Sequence, residues 1–141
     1  MSADPQFVDT NVLVYLFDND APEKQSRSQA LLASEGENLI LSTQVLGEFY
    51  VTVTRKLATP LTPELARGAV SDLCALRVRP IRAELVQAAV RRSEASKLSY
   101  WDSLIIETAI DAGASVLWTE DLQDGQILDG LRIANPFHAT G

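Results

Sequence analysis

The sequence predicts an α/β fold: a single compact αβα sandwich around a central, mainly parallel sheet of four to five short strands. The first observation behind this prediction is an alternation. Short apolar segments are followed by longer segments whose apolar residues recur every three or four positions, as strands and helices do in α/β proteins. The second is length, since 141 residues can bury a core without disulfides or metals. The third is the lack of any repeat, low-complexity tract or linker, which predicts one domain over residues 1–141.

The first element is a short buried strand that ends in a carboxylate. Apolar residues 7–8 run into Asp9, and a helix is predicted from about Asn11. A parallel strand that is covered on both faces is apolar almost throughout. A carboxylate at its C-terminal end lies where open α/β sheets bind their ligands. The alternative is that Asp9 or Thr10 only caps the helix that follows.

The later elements continue the alternation. Helix starts are indicated by a cap residue or a proline before an amphipathic segment, and Gly113 is expected to end the last helix. Pro80 interrupts the third strand, which predicts that this strand lies at a sheet edge. The predicted helices cover residues 23–34, 44–57, 63–76, 83–97 and 99–112, and the predicted strands cover residues 39–41, 78–81, 115–119 and 131–133.

Composition and charge narrow the chemistry. The chain is 46% hydrophobic and 22% charged, has no apolar run of the roughly 18 residues that span a bilayer, and has no signal-like N-terminus, so a cytoplasmic protein is expected. The lone Cys74 excludes an internal disulfide and fits a reducing compartment. A net charge of −7 argues against non-specific attraction to nucleic acid. The single His138 leaves little room for zinc or triad chemistry, so any catalysis must use carboxylates.

Four carboxylates fall at the ends of predicted elements. Asp9 ends the first strand, and Asp121 follows the fourth strand by two residues. Both are expected at the C-terminal edge of the sheet. Glu48 lies early in the helix after the second strand and can lean over the same edge. Asp102 lies in the first turn of the helix before the fourth strand, and only the tertiary fold can bring it to the others.

Each of these acids also has a purely structural interpretation. Asp102 follows Ser99 by three residues, as in a capping box. Glu48 can be a solvated helix residue, and Asp121 can belong to an ordinary loop. The set is more specific than its members, because each like-charge pair at about 5 Å costs on the order of 3 kcal/mol. Such a cluster suits hard divalent cations, which take oxygen ligands. Mg²⁺ or Mn²⁺ held this way activates a water and stabilises the leaving oxygen of a phosphodiester.

Four segments together resemble the motifs of PIN-domain ribonucleases, in particular the VapC-type toxins of bacterial toxin–antitoxin pairs. They occur in the family's order and extend over nearly the whole chain. The segments are Val8–Tyr15, Ser42–Phe49, Tyr100–Ile105 and Leu117–Gly125.

The resemblance implies a PIN-like sandwich with an acidic pocket. By position it assigns Mg²⁺ or Mn²⁺ binding and catalysis to Asp9, Glu48, Asp102 and Asp121. Asn11 and Thr119 match polar residues that support the site, and Asp124 is either an outer acid of the site or the turn residue before Gly125. The implied protein is an endoribonuclease of single-stranded or loop RNA, often a homodimer, that is silenced by an antitoxin covering the pocket.

Two other functions remain open at this point. One is a PIN-like domain that has lost catalysis and serves as a binding module for RNA or protein. The other is a small phosphatase in which Asp9 is the nucleophile. Basic residues can line an RNA path or form solvated helix faces: Arg55, Lys56, Arg79, Arg82, Arg91, Arg92 and Lys97.

Aromatic residues on the two helices nearest the predicted pocket also allow two interpretations. They can form an exposed apolar groove for an antitoxin segment, or they can belong to the core. These residues are Tyr15, Phe17, Phe49 and Tyr50.

Overall fold

A computed structural model describes residues 4–138. Residues 1–3, part of the N-terminal stretch that was expected to lack a signal, and residues 139–141 lie outside that range. The strands are β1 (Gln6–Val8), β2 (Leu39–Ser42), β3 (Arg77–Arg79), β4 (Val116–Trp118), β5 (Ile127–Leu128) and β6 (Leu131–Ala134). The helices are α1 (Thr10–Val14), α2 (Pro22–Glu35), α3 (Thr43–Arg55), α4 (Pro63–Leu73), α5 (Ala83–Ala95) and α6 (Tyr100–Asp111), with 3-10 turns at Tyr15–Phe17 and Gly36–Asn38.

The strands form one sheet in the order β3-β2-β1-β4-β6-β5. All neighbouring strands are parallel except the last pair, β6 and β5. Every residue of β1 and β2 is buried. Because alternate side chains of a strand point to opposite faces, both faces of the sheet must be covered at its centre. The predicted α/β fold with a mainly parallel central sheet is therefore confirmed.

The strand order predicts where a ligand would bind. The chain runs from β1 outward through β2 to β3, and then returns to β4 on the other side of β1. Open α/β sheets bind ligands at such a reversal, in the crevice beyond the C-terminal ends of the strands. The crevice between β1 and β4 is the switch point here, and Asp9 is the first residue after β1.

The structure differs from the sequence prediction in details. The sheet has six strands because the two-residue β5 pairs antiparallel with β6 through a tight turn at Asp129 and Gly130, both with positive φ. A strand of two residues is too short to show any hydrophobic pattern. β3 lies at the edge, as predicted, and ends before Pro80. Gly113, with φ of +74°, follows the end of α6 as expected.

Several helices are shorter than predicted. α3, α4 and α5 end two to three residues early, at Arg55, Leu73 and Ala95. Ser96, for example, is fully extended and so ends α5. No helix within residues 4–138 is long and apolar enough to cross a membrane.

The aromatic residues near the pocket divide between core and surface. Phe49 is completely buried on α3, in line with Val45 and Val53 at four-residue spacing, and contacts the ring of Phe17 edge to face. Tyr50, the next residue, is 40% exposed. Phe49 is therefore a core residue, and Tyr50 remains available on the surface of α3.

Candidate metal and active site

Asp9 combines the two roles that the sequence left open. Its backbone N–H still donates to Trp118 O at 3.0 Å, which continues the pairing of β1 with β4. Its side chain caps α1, because Oδ1 accepts from the backbone N–H of Thr10 at 2.7 Å. The other oxygen, Oδ2, accepts from the hydroxyl of Thr119 at 2.9 Å. The side chain lines the cavity described below although Asp9 is only 6% exposed.

Glu48 reaches the same place from α3. Ser42 caps this helix by accepting from Val45 N at 3.2 Å, so that the helix begins directly above the end of β2. The hydroxyl of Thr10 donates to Glu48 Oε1 at 2.7 Å, and Gln44 Nε2 donates to Oε2 at 3.3 Å. Glu48 is therefore held by a residue of α1 and a residue of its own helix, and is not a freely solvated side chain.

Asp121 is held by the two residues that were predicted to support the site. Asn11 Nδ2 donates to Asp121 Oδ2 at 2.9 Å and to Thr119 Oγ1 at 3.3 Å. The backbone N–H of Asp121 donates to the same Thr119 oxygen at 3.1 Å. Thr119 thus joins Asp9 to the loop that carries Asp121. Asn11, on α1, binds both Thr119 and Asp121.

Asp102 comes from the start of α6. Its backbone N–H donates to the Oγ of Ser99 at 3.1 Å, which is the capping arrangement that the sequence suggested. The same turn is tied to α3, because Gln44 Nε2 also donates to Trp101 O at 3.4 Å. As with Asp9, a residue in a capping turn also lines the cavity.

These side chains line one cavity of about 650 Å³ at the switch point of the sheet. Its lining includes all four of the acids singled out in the sequence, Asp9, Glu48, Asp102 and Asp121. Asp124 does not line it. That residue lies in the turn before Gly125, where it accepts from Asn135 N at 2.9 Å and pairs with His138 at 2.7 Å. The structure therefore places the four predicted acids in one cavity, which Asp18 also lines, and places Asp124 in a separate turn.

The proximity of the acids is visible in their pKa values. The pKa of Asp9 is raised from 3.8 to about 6, mainly by burial and to a smaller extent by the charges of Asp121 and Glu48. Hydrogen bonds from Thr119 and Thr10 oppose that rise. Burial also raises the pKa of Asp102, again with contributions from Asp121 and Glu48. The folded protein accordingly favours a proton, or another positive charge, at this site.

The donor set is chemically suited to a hard cation. Within residues 4–138 no three acidic, histidine or cysteine side chains lie close enough together, as they stand, to hold a metal ion. The carboxylates of Asp9, Glu48 and Asp121 are instead each held by a hydroxyl or amide partner. The Oε1 atom of Gln44 is buried beside Glu48 without a hydrogen-bond partner in the described residues. The amide oxygen of Gln44 and the carboxylate oxygens that line the cavity are the types of ligand that Mg²⁺ and Mn²⁺ bind.

Several residues of the cavity were missed by the sequence analysis. Thr10 and Gln44 hold Glu48, and the spacing of four residues between Gln44 and Glu48 on one helix was the signal for the second contact. Glu120 accepts from Tyr15 Oη at 2.6 Å and from Lys24 at 2.7 Å, which anchors the loop before Asp121. No local pattern in the sequence signals that long-range contact.

The fold and the cavity together define a class: a parallel α/β domain with an acidic site at its topological switch point. The chain belongs to the PIN domain family, whose family model matches residues 7–123. This confirms the family resemblance drawn from the four sequence motifs. Comparison with curated protein sequences gave no match.

Solved structures of low sequence identity share the fold. A toxin–antitoxin complex from Klebsiella pneumoniae is 22% identical with a TM-score of 0.68, covering 95% of this chain and 99% of that chain. The Mycobacterium tuberculosis toxin VapC20, described as cleaving the sarcin–ricin loop, is 21% identical with a TM-score of 0.64, covering 79% and 86%. VapBC2 from Rickettsia felis, bound to a DNA fragment from its promoter, is 19% identical with a TM-score of 0.63, covering 92% and 97%.

The raised pKa of Asp9 predicts how stability depends on pH in the absence of metal. A carboxyl whose folded pKa is about 6, against 3.8 unfolded, contributes stability below pH 3.8 that is lost as pH rises through 6. The Asp9→Asn variant lacks this loss. Its free energy of unfolding relative to the parent should therefore increase between about pH 4 and pH 7, by up to on the order of 3 kcal/mol.

Urea denaturation in EDTA at several pH values measures this difference. Asp124→Asn is the matched control, because the pKa of Asp124 is lowered by its contacts with Asn135 and His138. Its stabilising contribution disappears only below the ordinary carboxyl range. A difference between Asp9→Asn and the parent that stays constant with pH would show that Asp9 is not perturbed by the site.

Metal should separate site residues from capping residues. Mn²⁺ at about 100 times its dissociation constant should stabilise the parent by about 2.7 kcal/mol, which is several degrees of melting temperature in a domain of this size. Asp9→Asn and Asp102→Asn should match or exceed the parent's melting temperature without metal and respond much less to Mn²⁺. Asp124→Asn should keep the full response. A destabilised Asp102→Asn with the full metal shift would reduce Asp102 to a helix cap.

Proposed function

We propose that this protein is a metal-dependent endoribonuclease that hydrolyses RNA phosphodiester bonds, and that it is the toxin of a toxin–antitoxin pair. The observation that carries the proposal is the convergence of four carboxylates in one cavity at the switch point of a PIN-family sheet. A cluster of acids in a partly buried site opposes folding, so a ligand of opposite charge is the simplest reason for it to exist.

Mg²⁺ or Mn²⁺ would be held by Asp9, Glu48, Asp102 and Asp121, whose carboxylates all line the cavity. A cation bound there supplies an activated water and stabilisation for the leaving oxygen of the phosphodiester. The neighbouring residues orient the carboxylates. Their hydrogen bonds hold the carboxylates of Asp9, Glu48 and Asp121 in place before any ligand arrives, which lowers the entropy cost of assembling the site.

The contacts of Asp9 favour a ligand role over a nucleophilic one. Both of its oxygens already accept short hydrogen bonds, from Thr10 N and Thr119 Oγ1, and the residue is buried. An attacking carboxylate needs an oxygen with free access to phosphorus. This arrangement supports the nuclease over the aspartyl phosphatase as the function of the site.

Within the described part of the chain, some of the basic residues that were candidates for an RNA path are already paired with acids, and Lys56 is not. Arg79 and Arg82 are paired with Asp111, and Arg92 is paired with Glu107 and Asp129. Lys56 is different: it lines the acidic cavity and has no ion-pair partner within residues 4–138. A lysine in the lining of this cavity that has no ion-pair partner among the described residues is well placed to contact a backbone phosphate.

The solved relatives support the toxin assignment. One is a toxin that cleaves the sarcin–ricin loop, and another is a toxin–antitoxin complex. By analogy we propose an RNA substrate, a cognate antitoxin, a homodimer and a cytoplasmic location for this protein. Exposed Tyr50 and Val51 lie on α3, beside a shallow apolar groove, and are candidates for the antitoxin contact.

Cleavage of RNA is the direct test of the proposed activity. The purified protein should cleave single-stranded RNA with Mg²⁺ or Mn²⁺, and EDTA should abolish cleavage. Glu48→Gln and Asp102→Asn should lose activity by at least about a hundredfold, since electrostatic groups at an active site contribute on that scale. Asp124→Asn, outside the cavity, should cleave like the parent.

The outcomes discriminate among the three functions. Full cleavage in excess EDTA would contradict the metal mechanism. RNA binding without cleavage under every metal condition would indicate an inactive binding module. A trapped phospho-aspartate at Asp9 would indicate the phosphatase.

The toxin assignment predicts a specific partner. The product of a neighbouring reading frame should form a complex with this protein and inhibit cleavage. Tyr50→Ala should weaken that complex by about tenfold or more with little change in melting temperature, because Tyr50 is 40% exposed. Ile127→Ala, at a 67% exposed position on β5, is the control. Equal binding by Tyr50→Ala and the control would exclude this part of α3 from the interface.

A further inference from the structure

A second cavity adjoins the acidic one. It has a volume of about 580 Å³ and lies between α3, α5 and α6. Four residues line both cavities: Gln44, Gly47, Glu48 and Trp101. The other residues of the second cavity are mostly apolar, Thr43, Ile81, Val86, Tyr100 and Leu104. Any chain that crosses the acidic cavity can therefore enter an apolar groove without leaving the protein surface.

Trp101 stands at the boundary between the two cavities. It precedes Asp102 in the sequence and is 60% exposed, although it is the largest apolar side chain in either lining. Its ring contacts Tyr100 edge to face, with centroids 4.9 Å apart and planes at 74°. Tyr100 in turn packs on the small buried cluster of Leu85, Ala89 and Leu104. The indole is thus supported along one side and presented to solvent on the other.

The backbone beneath Trp101 is also fixed. Its carbonyl oxygen accepts from Gln44 Nε2 at 3.4 Å, and Ser99 caps the helix turn that carries it. The same Gln44 amide orients Glu48. One residue therefore sets the position of the indole relative to an acid of the site. An exposed aromatic ring held in this way is a preorganised contact surface.

The charge of the protein explains why such a surface would be needed. With a net charge of −7, the chain gains little from general attraction to a phosphate backbone. The wall of the acidic cavity repels phosphates until a cation is bound. Stacking of a base on an aromatic ring needs no positive charge and tolerates every base, because each base has a π-face. An acidic protein can therefore hold single-stranded RNA through its bases.

We propose that the groove bordered by Trp101 is a nucleobase subsite, in which an unpaired base next to the cleaved phosphate stacks on the indole. This inference rests on the proposed ribonuclease function and adds to it the element that holds the substrate. The occupant is a base of single-stranded RNA, since a base in a duplex is already stacked and cannot enter. The subsite predicts that affinity for RNA depends only weakly on salt.

Tryptophan fluorescence reports on the groove directly. In the Trp118→Phe background, Trp101 is the only tryptophan in the chain. A 12-nucleotide single-stranded oligo(A) or oligo(U) RNA, added with Mg²⁺ to protein that also carries Glu48→Gln to prevent cleavage, should quench this fluorescence. A 12-unit abasic ribose-phosphate strand of equal charge should not. Quenching by the abasic strand equal to that by the RNA would overturn the stacking role.

Steady-state cleavage gives an independent measurement that keeps Trp118 intact. Trp101→Ala should raise KM for single-stranded RNA about tenfold with kcat within about twofold, and Trp101→Phe should restore most of the affinity. Leu65→Ala is the matched control, because Leu65 is 63% exposed on α4, which contributes no residue to either cavity. Melting curves verify that all three variants are folded.

The outcomes separate this inference from the proposed function. If the parent cleaves RNA and Trp101→Ala shows an unchanged KM, the subsite is wrong and the ribonuclease stands. If Trp101→Ala instead disrupts a dimer or the antitoxin complex while KM is unchanged, Trp101 is a protein contact and the subsite is also wrong. If the parent neither cleaves nor binds single-stranded RNA, the proposed function fails and the subsite fails with it.

Discussion

The hydrogen bond from Thr119 to Asp9 joins the ends of the two central strands across the switch point of the sheet. It is the contact on which the site depends, because Thr119 also accepts from Asn11 and from the backbone of Asp121. One hydroxyl thereby sets the positions of a buried acid and a second acid in the adjacent loop. The hydroxyl can donate only once, and it donates to Asp9, so the negative charge of that residue is partly compensated at the centre of the fold.

Glu48 and Asp121 are held in the same way. Their carboxylates accept from the hydroxyl of Thr10 and the amide of Asn11, both on α1, and none of the partners described above carries a positive charge. Such neutral partners orient the acids without neutralising them. Burial, with smaller contributions from the neighbouring acids, raises the pKa values of Asp9 and Asp102. Burial and mutual repulsion of these carboxylates lower the free energy of unfolding, a loss of stability that is common at active sites. A bound cation would offset this loss.

The sequence predicted the parts of the site that follow from strand ends. Asp9 and Asp121 lie at the carboxyl edge because they follow parallel strands by one and three residues, and Glu48 lies within two helical turns of the end of a third. The location of Asp102 beside the other acids could not be predicted from strand ends. It depends on the packing of α6 and on the long-range contact between Gln44 and Trp101. The same limit applies to Glu120, whose partners Tyr15 and Lys24 are about a hundred residues away in the chain. β5 escaped prediction because two residues carry no periodicity.

The central claim is that four carboxylates from separate elements form one cation site. A crystal of the protein grown with Mn²⁺ tests it most directly, because anomalous scattering identifies manganese independently of the protein density. The account predicts an anomalous peak in the acidic cavity, in contact with carboxylate oxygens of Asp9 and of at least two of Glu48, Asp102 and Asp121. An empty cavity in crystals where Mn²⁺ is bound elsewhere, or a peak contacted by none of these residues, would contradict it.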